Sequence, residues 1–178
     1  MILNIHGYNS SGNNSKYKFL TEEYKNDLII SPTFDYKNDN PYNILDSLKN
    51  AVTSNFEKGK YKIVVGSSLG GFYAYCLSAI YDIRTILINP SLMPFINLNT
   101  RYDVGNTICK KYIELFSKYV YEPNLGNLEI IVSNNDNIIN HNEITRSVVS
   151  SKKFYVVKGE HHMRMTDELK SQIKRLIY

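Results

Sequence analysis

The chain has 178 residues, of which 43% are hydrophobic and 21% are charged, and its formal net charge is +4. This size and composition are typical of a globular domain with a substantial core, so we expect a single domain over residues 1–178. The lysines are scattered and accompany no nucleic-acid-binding motif, so we expect no nucleic-acid partner.

Short β-branched runs alternate along the chain with longer segments at helical spacing. Near-continuous apolar strands separated by helices indicate a parallel sheet covered on both faces. We therefore expect an α/β fold with a minimal, all-parallel, six-stranded sheet whose ligands bind beyond the carboxyl ends of the strands. The predicted strands are 2–7, 28–34, 61–67, 84–90, 128–134 and 153–159, and the predicted helices are 15–26, 41–58, 70–80, 105–120, 141–149 and 164–178.

The segment "GSSLGG" lies between the third predicted strand and the helix that follows it. It fits the pattern G-x-S-x-G, in which a serine is held on a strained turn and the glycines let neighbouring backbone pack closely. The flanking glycines, Gly66 and Gly70, are in register with Ser68, whereas Ser67 has apolar residues in those places. The segment lacks the lysine of a phosphate-binding loop. We therefore expect Ser68 to be a nucleophile.

A nucleophilic serine needs a histidine to take its proton and a carboxylate to orient that histidine. When the serine is on such a strand-to-helix turn, the chain order is Ser, then Asp or Glu, then His. Asp136 follows the fifth predicted strand, and the pair His161-His162 follows the sixth. Both positions lie at the same edge of the sheet as Ser68, so the pattern predicts a triad there.

The other candidate acids and bases fit this pattern less well. Asp82 and Asp103 are not at the carboxyl end of a predicted strand. His6 lies on the first strand, before the serine, and we expect it to order its loop. His141 begins a predicted helix, and we expect it to be exposed.

Acyl transfer also needs two N–H donors directed at the developing oxyanion. One donor is the backbone N–H of Leu69, the residue after the nucleophile. The other normally comes from the loop after an early strand, where "HG" lets the backbone turn inward. Tyr8 follows His6-Gly7 and is therefore the expected second donor.

Several ordered motifs together resemble the YqiA/YcfP-like esterases, a family of small bacterial α/β-hydrolases. They are "HGYNSS", "GSSLGG", "NPSLMPF", "NNDNII" and a Gly-x-x-His after the sixth strand. The resemblance covers nearly the whole chain and implies an α/β-hydrolase fold and a carboxylic-ester hydrolase. It also implies Ser68 as nucleophile, Asp136 as orienting acid and His162 as base, with Tyr8 and Leu69 as oxyanion donors. The Gly159-x-x-His162 spacing favours His162 over His161.

The longest excursion at the carboxyl edge of the predicted sheet follows the fourth strand and is the expected pocket wall. Any one of its apolar residues is better assigned to the core, but together, after a proline-bounded turn close to Ser68, they are expected to line an acyl site. The chain leaves little material for a large lid or a deep tunnel, so we expect short acyl chains to be preferred. The expected lining residues are Met93, Phe95, Ile96 and Leu98.

The remaining expectations concern cofactors, location and the cysteines. The triad needs no metal or organic cofactor, and a thioesterase or small-amide hydrolase would use the same residues. A different class of alternative is a catalytically idle hydrolase fold that binds a ligand or a protein partner. The sequence has no targeting segment and no stretch long and apolar enough to span a membrane, so we expect a cytoplasmic protein. Cys76 and Cys109 lie far apart, which predicts two buried thiols and no disulfide.

Overall fold

The structure, a computed structural model, describes residues 1–55, 57–58, 62–102, 104–120, 127–149 and 153–178, without the side chains of residues 99 and 100. The described strands are β1 (Ile2–Ile5), β2 (Ile29–Ile30), β3 (Ile63–Ser67), β4 (Arg84–Ile88), β5 (Leu128–Ser133) and β6 (Phe154–Val157). The described helices are α1 (Ser15–Glu23), α2 (Pro41–Asn55), α3 (Leu69–Tyr81), α4 (Pro94–Tyr102), α5 (Asn106–Tyr119), a π-helical turn (His141–Thr145), α6 (Arg146–Val148) and α7 (Asp167–Ile177).

The described strands form one parallel sheet in the order β2-β1-β3-β4-β5-β6. Because every pair is parallel, the carboxyl ends of the strands share one edge, as they do in other open α/β sheets. The predicted six-stranded parallel sheet is therefore confirmed, and the loops after β1, β3, β4, β5 and β6 lie at the same edge.

Two hydrophobic clusters cover the two faces of the sheet. Successive residues of a strand point to opposite faces, and in β3 Val64 packs in the larger cluster whereas Ile63 and Val65 pack in the smaller one. The larger cluster includes residues of α2, α3 and α5, and the smaller one includes residues of α1 and α7. Both cysteines, Cys76 and Cys109, are buried free thiols, which confirms that prediction.

The second strand is much shorter than predicted. It ends at Ile30, and the side chains of the next residues bond to the loop after β1. Ser31 donates from its hydroxyl to the Gly12 carbonyl at 2.7 Å, and Thr33 accepts from the Gly12 N–H at 2.9 Å. This loop pairing also brings Phe34 close to His6, at the edge of the sheet where the predicted triad residues lie.

Helix α4 was missed by the sequence analysis, which treated that segment as an irregular excursion. Pro94 is its first residue, the position at which proline is most favoured in helices. The same proline, together with Pro90, made the segment look like a turn. The helix determines which residues of the excursion face the reactive edge.

Candidate active site

Ser68 occupies a strained turn between β3 and α3. Its φ and ψ are 51° and −120°, and φ in this range costs a non-glycine residue about 1–3 kcal/mol. The Ser68 N–H donates to the Ile88 carbonyl at 3.0 Å, and its carbonyl accepts from the N–H groups of Gly71 and Ser91, each at 2.9 Å. Its hydroxyl does not cap the helix. The surrounding backbone thus holds the turn and leaves the hydroxyl available.

Two glycines make this turn sterically feasible. A Cβ on Gly70 would overlap the carbonyl oxygens of Ile5 and His6, and a Cβ on Gly66 would overlap the Gly70 carbonyl oxygen. Ser67 is the last residue of β3, so Ser68 alone is at the bend. This is the register that the glycine spacing predicts.

His161 connects Ser68 to Asp136 by two hydrogen bonds. The Ser68 Oγ is 2.8 Å from His161 Nε2, and His161 Nδ1 is 2.8 Å from Asp136 Oδ2. A carboxylate only accepts, so Nδ1 carries the proton and Nε2 accepts from the serine hydroxyl. The His161 and Asp136 side chains are 3% and 2% exposed. The serine, imidazole and carboxylate therefore form one continuous, nearly buried chain.

The prediction that His162 stands between the serine and the carboxylate is wrong. His162 is exposed, and its ring lies edge-on against the His161 ring at 5.2 Å. Side chains alternate in this loop, because His161 and Met163 are buried while the residue between them faces outward. The inward position is therefore one residue earlier than the Gly-x-x-His spacing implies.

Asn89, which the sequence analysis missed, fixes the loop that carries His161. Its side-chain N–H group donates to the carbonyls of Glu160 and His161, both at 3.1 Å. Its Oδ1 accepts from the Ser133 N–H at 2.7 Å. Asn89 follows β4 and thus joins the ends of β4, β5 and β6. An asparagine before a proline gives no sequence signal for such a role.

Asp136 has all of its acceptor positions occupied. Its Oδ1 accepts from the N–H groups of Ile138 and Ile139, each at 2.8 Å. Its Oδ2 accepts from His161 and also from His141 Nε2 at 2.8 Å. Burial alone would raise the pKa of Asp136, but the hydrogen bonds from His141, His161 and Ile139 outweigh it and hold the pKa well below its usual range.

His141 is the second residue that the structure places differently from the prediction. It is buried and not exposed, and its Nδ1 lies 2.7 Å from the Thr145 hydroxyl. The first turn of this segment is π-helical. Periodicity predicted a helix here, but it carried no signal that the ring turns inward to contact a carboxylate.

His6 orders the loop after β1, as predicted. Its Nδ1 donates to the Gly7 carbonyl at 2.8 Å, and its Nε2 accepts from the Phe34 N–H at 3.0 Å. Burial lowers the pKa of His6, which favours this neutral form. Gly7 lies against Ser68, since a Cβ on it would be 3.0 Å from the Ser68 Cβ. The loop is thereby held beside the serine.

An apolar groove runs from Ser68 toward α4. Tyr8 and Leu69, the predicted oxyanion donors, both contribute to its wall. Of the four predicted pocket residues, Leu98 alone lines it. The described groove residues are Tyr8, Ser68, Leu69, Ser91, Asn97, Leu98, Tyr102, Ile138, Ile139, His161 and His162.

The other three predicted pocket residues do not line this groove. Phe95 packs edge-on against Phe116 of α5 at 5.5 Å, Ile96 is 42% exposed, and Met93 is half-buried outside the groove. The reason is helical geometry, because one face of α4 turns Leu98 and Tyr102 toward the groove. Treating the segment as irregular hid this difference.

A small polar cleft opens on the other side of Ser68. It has a volume of about 110 Å³. For comparison, an engineered apolar cavity of about 150 Å³ holds a benzene molecule. The described cleft residues are His6, Gly7, Tyr8, Ser10, Asn14, Ser15, Lys16, Ser67, Ser68, Ile88, His161 and His162.

Other arrangements of the reactive residues find less support. Asp103 lies outside the described residues, and Asp82 ends α3 in a left-handed conformation.

Across the part of the chain that the structure describes, no three His, Cys, Asp or Glu residues are arranged to hold a metal ion. In that same part, no helix is long and apolar enough to cross a membrane.

Sequence comparison places this chain among proteins of one family. A profile described as "Uncharacterised protein family (UPF0227)" matches residues 1–177. A UPF0227 protein of Shewanella woodyi is 26% identical over 183 residues, which cover 99% of this chain and 97% of that protein. The UPF0227 protein YcfP of Escherichia coli is 26% identical over 145 residues, which cover 79% of this chain and 77% of that protein. The resemblance to the YcfP-like family is thus confirmed.

Solved structures confirm the predicted α/β-hydrolase fold. The mouse α/β-hydrolase domain-containing protein 10 superposes with a TM-score of 0.73 at 16% identity, covering 99% of this chain and 88% of that one. An esterase from Pyrococcus furiosus superposes with a TM-score of 0.66 at 19% identity, covering 98% and 79%. At these identities the likeness establishes the fold.

Proposed function

Since the chain belongs to the UPF0227 family and has the α/β-hydrolase fold, we propose that it is a serine esterase that hydrolyses small carboxylic esters. The observation that carries this proposal is the hydrogen-bond chain from Ser68 through His161 to Asp136. A serine hydroxyl hydrogen-bonded to a histidine that is itself hydrogen-bonded to a buried carboxylate is the arrangement that activates serine as a nucleophile. The position of Ser68 on a strained turn supports the same conclusion.

The proposed reaction has two halves. Ser68 Oγ attacks the ester carbonyl carbon while His161 Nε2 accepts the hydroxyl proton, and Asp136 stabilises the imidazolium that forms. The Tyr8 and Leu69 backbone N–H groups stabilise the oxyanion. His161 then returns the proton to the departing alcohol, leaving an acyl-serine. In the second half, water gives a proton to His161 and attacks the acyl carbon, and His161 then returns that proton to Ser68 Oγ as the acid is released.

The small groove beside Ser68 favours short acyl chains. Its volume is only about 20 Å³, so a long acyl chain would extend past the apolar wall into solvent. The rings of Tyr8 and Tyr102 are 4.6 Å apart, which narrows the groove further. We therefore propose small-molecule esters as the substrates. The cytoplasmic location expected from the sequence stays a prediction.

Replacing each member of the triad tests the assignment of the base. We expect Ser68→Ala and His161→Ala each to lower kcat on 4-nitrophenyl acetate by roughly 10⁴- to 10⁶-fold, because triad members act as a unit. The matched neighbours Ser67→Ala and His162→Ala should keep most of kcat. A large loss in His162→Ala with little loss in His161→Ala would contradict the assignment. Circular dichroism would verify that each variant is folded.

Acyl-chain preference tests the proposed groove. We expect kcat/KM for the acetyl and butyryl esters of 4-nitrophenol to exceed that for the dodecanoyl ester by roughly tenfold or more, since each methylene beyond the groove gains little burial. Tyr102→Ala should open the far end and raise kcat/KM for the longer esters relative to acetyl. A wild-type preference for the dodecanoyl ester would mean that the acyl chain binds elsewhere.

A further inference from the structure

The polar cleft and the apolar groove meet at Ser68 but differ in chemistry. Tyr8, Ser68, His161 and His162 line both. The groove adds mostly leucine, isoleucine and tyrosine side chains, with one serine and one asparagine, whereas the cleft adds mostly serine, asparagine, histidine and lysine side chains, with one isoleucine, and no Asp or Glu lies among its described residues. An ester with one apolar and one polar side would therefore fit with its acyl group in the groove and its alcohol part in the cleft.

Lys16 is the lysine among the described residues of the polar cleft. It lies in the first turn of α1 and is half-buried. The acceptor that the structure gives its Nζ is the Met163 carbonyl, at 3.2 Å. An ammonium group has three N–H donors, and no carboxylate pairs with Lys16 among the ion pairs of the described residues. Burial lowers the pKa of Lys16.

A partly buried ammonium without a carboxylate partner carries a desolvation cost that no ion pair offsets, because buried charges in proteins are usually paired. At a cleft beside a nucleophile, an anionic group of the substrate would be the missing counter-ion. We propose that Lys16 binds a carboxylate on the alcohol part of the ester, so that the substrates are small acyl esters of a hydroxy acid. This inference rests on the proposed esterase function.

A pair of esters of similar shape tests this inference. In 3-acetoxybenzoate the alcohol part carries a carboxylate, and in 3-methylphenyl acetate a neutral methyl group takes its place. We expect Lys16→Met to lower kcat/KM for the anionic ester by about 10- to 100-fold, the range of a charged hydrogen bond, and for the neutral ester by less than about threefold. Lys16→Arg should keep most of the preference. The matched control is Lys18→Met, an exposed lysine on the same helix.

Two kinetic results would overturn the inference. If Lys16→Met leaves kcat/KM for both esters unchanged, the carboxylate does not contact Lys16. If it lowers kcat/KM equally for both esters, Lys16 only anchors the Met163 loop. Calorimetric binding of 3-hydroxybenzoate to the Ser68→Ala protein separates this inference from the proposed function. Weaker binding in Ser68→Ala/Lys16→Met supports the subsite even if no ester is hydrolysed, and unchanged binding contradicts it.

A separate observation concerns the far side of Asp136. His141 Nε2 faces Asp136 Oδ2 at 2.8 Å, so this nitrogen must carry the proton. In the neutral ring Nδ1 then accepts from the Thr145 hydroxyl, 2.7 Å away. Thr145 is fully buried. The hydrogen-bond chain therefore continues from Asp136 through His141 to Thr145.

We infer that His141 is a positioning residue that acts through Asp136. Its N–H holds Oδ2 in place on the side opposite His161, so that the carboxylate stays aligned when His161 becomes charged. The two Oδ1 hydrogen bonds, from Ile138 and Ile139, fix the other oxygen. This inference also rests on the proposed function, because alignment of Asp136 matters for catalysis only if His161 shuttles a proton.

The test compares two replacements of His141. We expect His141→Leu to lower kcat for 4-nitrophenyl acetate by about 10- to 50-fold with KM changed less than twofold. His141→Gln, whose amide N–H replaces the Nε2 donor, should recover kcat to within about fivefold of wild type. The control is Asn142→Ala, because Asn142 is exposed on the same turn and bonds only to Arg146 among the contacts described.

Three outcomes would overturn the role of His141. The first is a kcat for His141→Leu within twofold of wild type. The second is an equal loss of kcat in His141→Leu and His141→Gln. The third is a His141→Leu protein in which KM changes but kcat does not. If His141→Leu does not fold, Thr145→Val replaces it, since it keeps the ring but removes the donor to Nδ1; an unchanged kcat there contradicts the inference. A wild type that hydrolyses no ester would instead overturn the proposed function together with this role.

Discussion

Ser68 adopts a left-handed backbone conformation that costs free energy, and the packing of three strands around it compensates that cost. The Ile88 carbonyl at the end of β4 accepts from the Ser68 N–H, and the backbone of β1 lies so close to Gly70 that no side chain fits there. Because a parallel sheet brings these strand ends together, the turn is fixed before any substrate binds. Every other feature of the site is arranged relative to this bend.

The second requirement is a buried carboxylate that stays ionised. Asp136 is almost fully buried, and four hydrogen bonds to its two oxygens keep its pKa low. Such a carboxylate can stabilise a charged His161 without taking its proton. Asn89 adds rigidity, because it bonds the loop of His161 to the end of β5. The site is thus built mainly from residues that follow strands, as expected for an open parallel sheet.

Much of this arrangement was predictable from the sequence, because it depends on local pattern. Alternation of apolar runs and helical segments predicted the parallel sheet, and glycine spacing predicted which serine lies at the bend. Chain order predicted a carboxylate after β5 and a histidine after β6. These features depend on a few neighbouring residues and on the common direction of parallel strands.

The features that the sequence did not reveal depend on contacts between distant residues. His161 points inward and His162 points outward because their loop is held by Asn89, which lies 72 positions earlier in the chain. His141 is buried against the Asp136 side chain. Beyond the early end of β2, Ser31 donates to the Gly12 carbonyl and Thr33 accepts from the Gly12 N–H. Helix α4 escaped prediction because its prolines are as typical of a turn as of a helix start.

The central claim is that His161 activates the hydroxyl of Ser68. A fluorophosphonate probe tests it most directly, because such a probe phosphonylates an activated serine, and peptide mass spectrometry then identifies the labelled residue. The account predicts a single adduct, on Ser68, which forms in wild type and in His162→Gln but is lost in His161→Gln. No adduct on folded wild type, or an adduct on Ser67, or one on Ser68 that survives the loss of His161, would contradict it.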